Sequence, residues 1–356
     1  MKSAPPNLSP NLSLSLSPNL SLSLLLTLSL TLPLLPACGG TDAGTDAVSG
    51  DVIAEATIEE TTAELPPVEG SYPPNATLQQ IAALEEVNKY RRSVNLDVVD
   101  MTEALNLASQ AHAEFIVNHC QQYGQTGLSP HNEDASWGDD FTGVQPWDRM
   151  GHFGYKSYGM SEVIAFVPSP VLAVQGWMNT LYHRLPLIDP TTVEVGYGQA
   201  MTGSVACTYP QYLKANVMDI GMILNPEDVI VLFPPDGATL VPRAFDGYES
   251  PQPPVPPGGY PSGYIATVQF GRTLAVKVTN HQLLENGTTP IDHVFLAAYE
   301  DEALGIRQDP HTDGDPTLSL YAYDPLLPLT KYTVVIDMER GGGPLHLEWS
   351  FTTGNK

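Results

Sequence analysis

A change of rhythm at Val229 constrains the fold most. From there the chain runs as short β-type stretches: "VIVLFPPDGATLVP", "YIATVQF", "TLAVKVTN", "HVFLAAYE", "TLSLYAYD", "KYTVVIDME" and "HLEWSFTTG", with turn residues between them. Runs this short, rich in β-branched and aromatic residues, predict an all-β sandwich. Upstream the periodicity is helical. Thr77 and Gln80 form a capping box before Leu78, Ile81, Leu84 and Val87, which share one helical face. Asp100 with Glu103 predicts the start of a second helix, striped by Leu105, Ala108, His112 and Phe115 and ending near Cys120. Residues 121–145 are turn-rich, "PWDRMGHF" opens a short helix on its proline, and "EVIAFV" suits a strand. "VLAVQGWMN" adds a helix; "TTVEVGYGQAM" and "YLKANVMDIGMIL" add two strands. The fold class is therefore α+β over residues 75–224, followed by an all-β sandwich over 225–356, with "NPED" at 225–228 as hinge. Two self-sufficient apolar patterns predict two independently folding domains.

Charge narrows the partners. Forty acidic residues against 15 Lys and Arg leave −25. Phosphate binding depends on Lys and Arg, so no nucleic acid is expected as a partner. An acidic surface also repels anionic membranes, so attachment to a membrane needs another device.

The N-terminus supplies that device. Residues 1–37 hold no acid and one base, Lys2, and run into "LSLLLTLSLTLPLLPACGG", an export signal rather than a spanning helix. "LPAC" resembles a bacterial lipobox with Leu35, Ala37 and the lipidated Cys38; Pro36 departs from the usual pattern. The segment is read as a lipoprotein signal peptide, and 38–74 as a flexible acidic tether too poor in apolar residues to fold. Gly39 stands where many Gram-negative lipoproteins retained at the inner membrane carry Asp, which implies a lipid anchor at the outer membrane or cell surface. Export permits a disulfide between the remaining cysteines, Cys120 and Cys207, although spacing does not establish one.

Several short motifs occur in a telling order. "LEEVNKYRRSVNL" and "ALNLASQAHAEFIV" are followed by "LSPH" with His131, "PWDR" with Arg149, Gly154-Tyr155, and "GMSEVIAF" with Glu162. Trp177, Thr180, His183 and Arg184 come next, then Gly196 and Gly198. Over about 150 residues this resembles the CAP superfamily of cysteine-rich secretory proteins, antigen 5 and pathogenesis-related 1, in its bacterial secreted branch. The resemblance implies an α-β-α sandwich with a central cleft lined by His131, Glu162 and His183. It has two departures. Thr180 stands where eukaryotic members often place a second glutamate, and Val163 stands where the family has asparagine.

The chemistry of that trio stays open. Two imidazoles and a carboxylate can hold Zn²⁺ with one position free, serve as acid and base without metal, or form a polar core that fixes loops. The functions to weigh are a cleft for a metal or a small-molecule, lipid or peptide ligand, a peptidase-like hydrolase, and an adhesion or structural protein with a vestigial cleft. Elsewhere, His112 on an apolar helical stripe reads as a core histidine, and His119 and His152 show no sequence partner. Ser161 lacks the G-x-S-x-G elbow of a serine hydrolase. "DPHTDGDP" at 309–316 only half-imitates a calcium loop. The C-terminal half resembles bacterial Ig-like modules from "FPPDGATLVP" to "WSFTTG", which implies a spacer or partner-binding role.

Overall fold

The helices and strands of the first half follow from local signals. The computed structural model describes residues 70–203, 207–224, 226–312 and 316–355. The signal peptide, Cys38 and the tether up to residue 69 lie outside the described residues. Helix α1 (Leu78–Ser93) starts on the expected capping box, with Thr77 and Gln80 exchanging hydrogen bonds. Strand β1 (Asp100–Met101) precedes α2 (Glu103–Asn118), which is capped by the Thr102 hydroxyl rather than by Asp100. Asp100 is occupied elsewhere, accepting the Ser71 backbone N–H. There follow α3 (Cys120–Thr126), α4 (Pro146–His152), β2 (Gly159–Ala165), α5 (Pro170–Met178), the single turn α6 (Arg184–Leu187), β3 (Thr192–Met201) and β4 (Lys214–Met222). Cys120 and Cys207 are joined by a disulfide, with Cα atoms 6.2 Å apart.

Four strands in the order β1-β3-β4-β2 make the central sheet, antiparallel except for β1 with β3. Alternation along each strand decides which side chain meets which helix layer. Val163, Val195, Tyr197, Met218 and Ile220 pack with Leu84 and Val87 of α1 and with Val174 and Trp177 of α5. Ile164 and Val217 point to the other face, against Phe115 and Ile116 of α2. The result is an α-β-α arrangement.

The two glycines of β3 let α2 lie against the sheet. A Cβ at Gly196 would sit 2.1 Å from the Leu105 carbonyl carbon, and one at Gly198 would sit 2.3 Å from the Gln110 nitrogen. Backbone atoms cannot give way as a flexible side chain can. Gly198→Ala is expected to push α2 off the sheet and cost about 1–3 kcal/mol as an overpacking defect. Urea midpoints check this, with Gly203→Ala, where a Cβ meets nothing within 4 Å, as the control.

The second half is β-rich. Its strands are β5 (Ile230–Phe233), β6 (Ala238–Val241), β7 (Ala244–Phe245), β8 (Ser262–Gly263), β9 (Ala266–Phe270), β10 (Val276–Glu285), β11 (Thr289–Pro290), β12 (His293–Ala297), β13 (Ile306–Gln308), β14 (Leu318–Ala322), β15 (Lys331–Arg340) and β16 (Gly343–Thr353). They form two five-stranded sheets, β11-β10-β15-β16-β6 and β13-β12-β14-β9-β5, with β7 and β8 as a separate pair. Two pairings are parallel, β12 with β13 and β16 with β6, so the region departs from a purely antiparallel sandwich. Gly341 and Gly342, both at positive φ, close the β15–β16 hairpin at a turn that other residues enter only with strain.

The second of these sheets is covered on both faces. Phe295, Leu318, Leu320, Ala266 and Val268 join Val334, Ile336 and Trp349 of the opposite sheet. Val294, Leu296, Tyr321 and Ile265 pack instead with Leu181 and Phe245. Strands β9 and β14 are accordingly buried at every position. The expectation of two self-sufficient cores therefore meets a shared one. A single apolar cluster runs from Leu84 of α1 through Phe233 to Trp349, and all described residues fall in one compact unit.

Candidate functional site

The expected trio arrives from three directions. His131 follows α3 on a loop, Glu162 lies on β2, and His183 immediately precedes α6. Glu162 has a nearly inaccessible side chain, and both its oxygens are taken. Oε1 faces His131 Nδ1 at 2.8 Å, and Oε2 accepts Arg149 Nη2 at 2.6 Å. Arg149 also donates to the His131 carbonyl at 3.0 Å, so one guanidinium fixes both the loop and the carboxylate that orients its ring. Burial alone would raise the Glu162 pKa, but Arg149, His112 and His131 outweigh it and hold the group at about 2.

Behind this pair lies a buried polar cluster. Asp219 of β4 stands directly opposite Glu162 in the sheet register. Two carboxylates so placed resist joint ionisation. Burial, reinforced by the Glu162 charge, pushes the Asp219 carboxyl well above the usual range, and the Ser109 hydroxyl donates to it at 3.0 Å. His112 is a core histidine, as expected, with Nδ1 2.9 Å from Glu133 and Nε2 2.8 Å from the Pro130 carbonyl. Glu133 in turn accepts the Thr142 N–H at 2.8 Å and orders the loop that carries His131. His119, without a partner in the sequence reading, pairs with Asp140 at 2.9 Å.

His183 takes a different carboxylate from the one that holds His131. Its Nδ1 lies 2.9 Å from Glu249, a buried residue of the second half that sequence reasoning missed. Thr180 Oγ1 sits 3.3 Å from the same nitrogen. His131 and His183 nevertheless line one cleft of about 460 Å³, together with Ser129, Ile164, Phe166 and Tyr248. Ile164 and Phe166 make its inner wall apolar, and Tyr248, 89 % exposed, stands at its edge.

Each imidazole is thus set the same way. An ionised carboxylate only accepts hydrogen bonds, so each Nδ1 donates, and the neutral ring keeps its lone pair on Nε2. Neither Nε2 has a hydrogen-bond partner among the described residues. These two atoms can accept a proton or coordinate a Lewis acid. Glu162 orients His131, and both its oxygens already have hydrogen-bond partners. Among the described residues no group of three His, Cys, Asp or Glu side chains is arranged to hold a metal.

The model of the cysteine-rich secretory protein family, CAP, matches residues 84–209. The chain carries a CAP domain. The match takes in α2, His131, Arg149, Glu162, His183 and the Gly196-x-Gly198 pair, and stops before the β-rich region. Among solved structures, the chain is similar to an outer surface protein of Borrelia burgdorferi (17% identity, TM-score 0.28), covering 39% of this chain and 89% of that one. It is also similar to an extracellular protein containing an SCP domain from Bacillus anthracis (18% identity, TM-score 0.28), covering 40% of each chain. No curated protein matches.

Proposed function

We propose that the protein is an exported lipoprotein, anchored through Cys38, whose CAP cleft binds a small ligand or a ligand-bound metal through His131 and His183. The observation carrying this reading is that both rings line one cleft while buried carboxylates hold their Nδ1 atoms, leaving Nε2 for the ligand. The Leu-rich leader and "LPAC" support the anchor. Two acyl chains would hold the protein at a membrane where one gives only marginal binding. The β-rich region, on its sequence an Ig-like module, forms part of the cleft wall through Tyr248 and Glu249.

Two imidazole donors suit Zn²⁺ or Cu²⁺ better than the oxygen-seeking Ca²⁺ or Mg²⁺. They do not make a closed structural zinc site, which takes four protein ligands. Water or the ligand itself would fill the other positions, so affinity for the bare ion is modest. Calorimetry with Zn²⁺ at neutral pH is expected to show one weak site, weakened at least about tenfold by either His131→Ala or His183→Ala, as loss of one of two donors demands. Only neutral imidazole coordinates, so binding also falls as the solution is acidified. A wild-type chain that binds no Zn²⁺, or binding untouched by both substitutions, would remove the metal from this reading.

A further inference from the structure

We propose that Glu249 is the positioning residue of His183, so that the β-rich region is a working part of the CAP cleft rather than a spacer behind it. This rests on the cleft reading above and adds a residue from outside the CAP match, which ends at residue 209.

The Glu249 side chain is fully buried, and among the described residues its hydrogen bonds are all to the CAP domain. Oε2 accepts the Leu181 N–H at 2.8 Å. Oε1 accepts the Tyr182 N–H at 2.6 Å, the His183 N–H at 3.0 Å and His183 Nδ1 at 2.9 Å. A buried carboxylate without donors is costly, and these four donors are what make its burial tolerable. Three of them are backbone groups and would serve a purely mechanical latch. The fourth is the imidazole, and it has a chemical consequence. With an acceptor fixed at Nδ1, the proton of the neutral ring stays there and Nε2 keeps its lone pair for the cleft. His131 receives the same setting from Glu162 within the CAP domain. His183 receives it from 66 residues further along the chain.

The loop is built to deliver this group. Gly247 takes a positive φ of 82°, and a Cβ there would lie 2.5 Å from the Tyr260 ring. The turn buries the Glu249 side chain while its neighbour Tyr248 remains exposed beside the cleft. Docking of the β-rich region and binding at His183 are therefore linked, and linkage is reciprocal. Whatever the docked loop adds to ligand affinity, the ligand returns to docking.

The test uses the full chain and needs no ligand in its first arm. Side-chain ¹⁵N NMR above neutral pH is expected to show the wild-type His183 proton on Nδ1. Glu249→Gln keeps size but loses charge, and sets an amide group where acceptors are required. Its Nδ1–H population is expected to fall, and Zn²⁺ affinity to drop at least about tenfold, the usual effect of removing an orienting carboxylate. Thr180→Glu placed in that background puts a carboxylate beside the same nitrogen, which Thr180 Oγ1 already approaches at 3.3 Å, and should restore both signals. A folded Glu249→Gln chain with wild-type tautomer and affinity overturns the proposal. A Gln chain that does not fold overturns it too, making Glu249 a structural latch. Absence of Zn²⁺ binding in the wild type would count against the cleft reading alone, because the tautomer arm still reports on Glu249.

Discussion

Arg149→Met should destabilise the protein by about 3–5 kcal/mol, the scale found when one partner of a buried ion pair is removed. Arg149 is wholly inaccessible and stands among three buried acids, Glu133, Glu162 and Asp219. Burial lowers a guanidinium's pKa, yet its acidic neighbours, Glu162 foremost, outweigh it and leave Arg149 raised. Methionine roughly fills the space, so the loss reports charge rather than a cavity. Glu162 would be left buried with the His131 ring at 2.8 Å and the more distant His112 as its remaining partners. Adding Glu162→Gln should recover part of the loss, because the second change removes the charge that the first one strands. Urea midpoints of the two single variants and the double variant measure this coupling. Independent, additive losses would refute it.

The same pair sets an acid limit. The Glu162 pKa is depressed from 4.5 to about 2, so its ionised form contributes stability above the ordinary carboxylate range. That contribution is lost as pH falls from 4.5 toward 2. Asp219 is shifted upward and acts oppositely, because the fold holds its proton and the associated stability declines as pH rises past the usual carboxylate range. In Arg149→Met the restraint on Glu162 is gone, so the acid-induced loss between these limits should shrink.

How much of this was legible in the sequence depends on the range of each signal. Thr77 with Gln80, Pro146 and Pro170 marked helix starts because capping is decided within one turn of chain. Asp100 misled because two capping residues stand two positions apart. A tertiary contact to Ser71 engaged Asp100 and left Thr102 as the cap. The order of His131, Glu162 and His183 was readable through a family pattern, but their pairing was not. The three were expected to line one cleft, and the structure gives each ring a carboxylate of its own. Glu249 lies in "FDGYESPQPP", where no periodicity or spacing ties it to a histidine 66 residues away. Asp219 did leave a trace, as a lone acid inside the apolar run "NVMDIGM". Such a residue demands a buried partner, and Ser109 supplies one. In the β-rich half, the short β-type runs of β9 and β14 were readable as strands. That their second faces pack against residues such as Leu181, outside the region, was not.

That second face makes Arg184 the other sensitive position, and Arg184→Ala should cost about 3–5 kcal/mol through lost packing and unpaired carbonyls. Its side chain is fully buried at the junction of the two halves. Nη1 donates to the Met178 carbonyl at 3.3 Å, and Nη2 to the Ile265 carbonyl at 3.0 Å. The guanidinium carbon lies 4.5 Å from the Phe233 ring centroid and 5.7 Å from that of Tyr264. No described carboxylate forms an ion pair with it, so burial lowers its pKa, and the charge is stabilised by carbonyl dipoles and ring faces. Alanine removes the side chain that reaches from α6 to β5 and leaves the Ile265 carbonyl without this donor. Arg184→Met keeps most of the volume and removes the desolvated charge, so it should retain more than half of what alanine loses. Arg184→Lys keeps the charge but loses the planar fork and ring stacking, and should fall between them. Scanning calorimetry carries a second readout. The wild type is expected to melt in one transition because its apolar cluster spans both halves, and Arg184→Ala to broaden or split it as the halves uncouple. Two transitions already present in the wild type would mean that the halves are independent cores after all, with Arg184 a local filler.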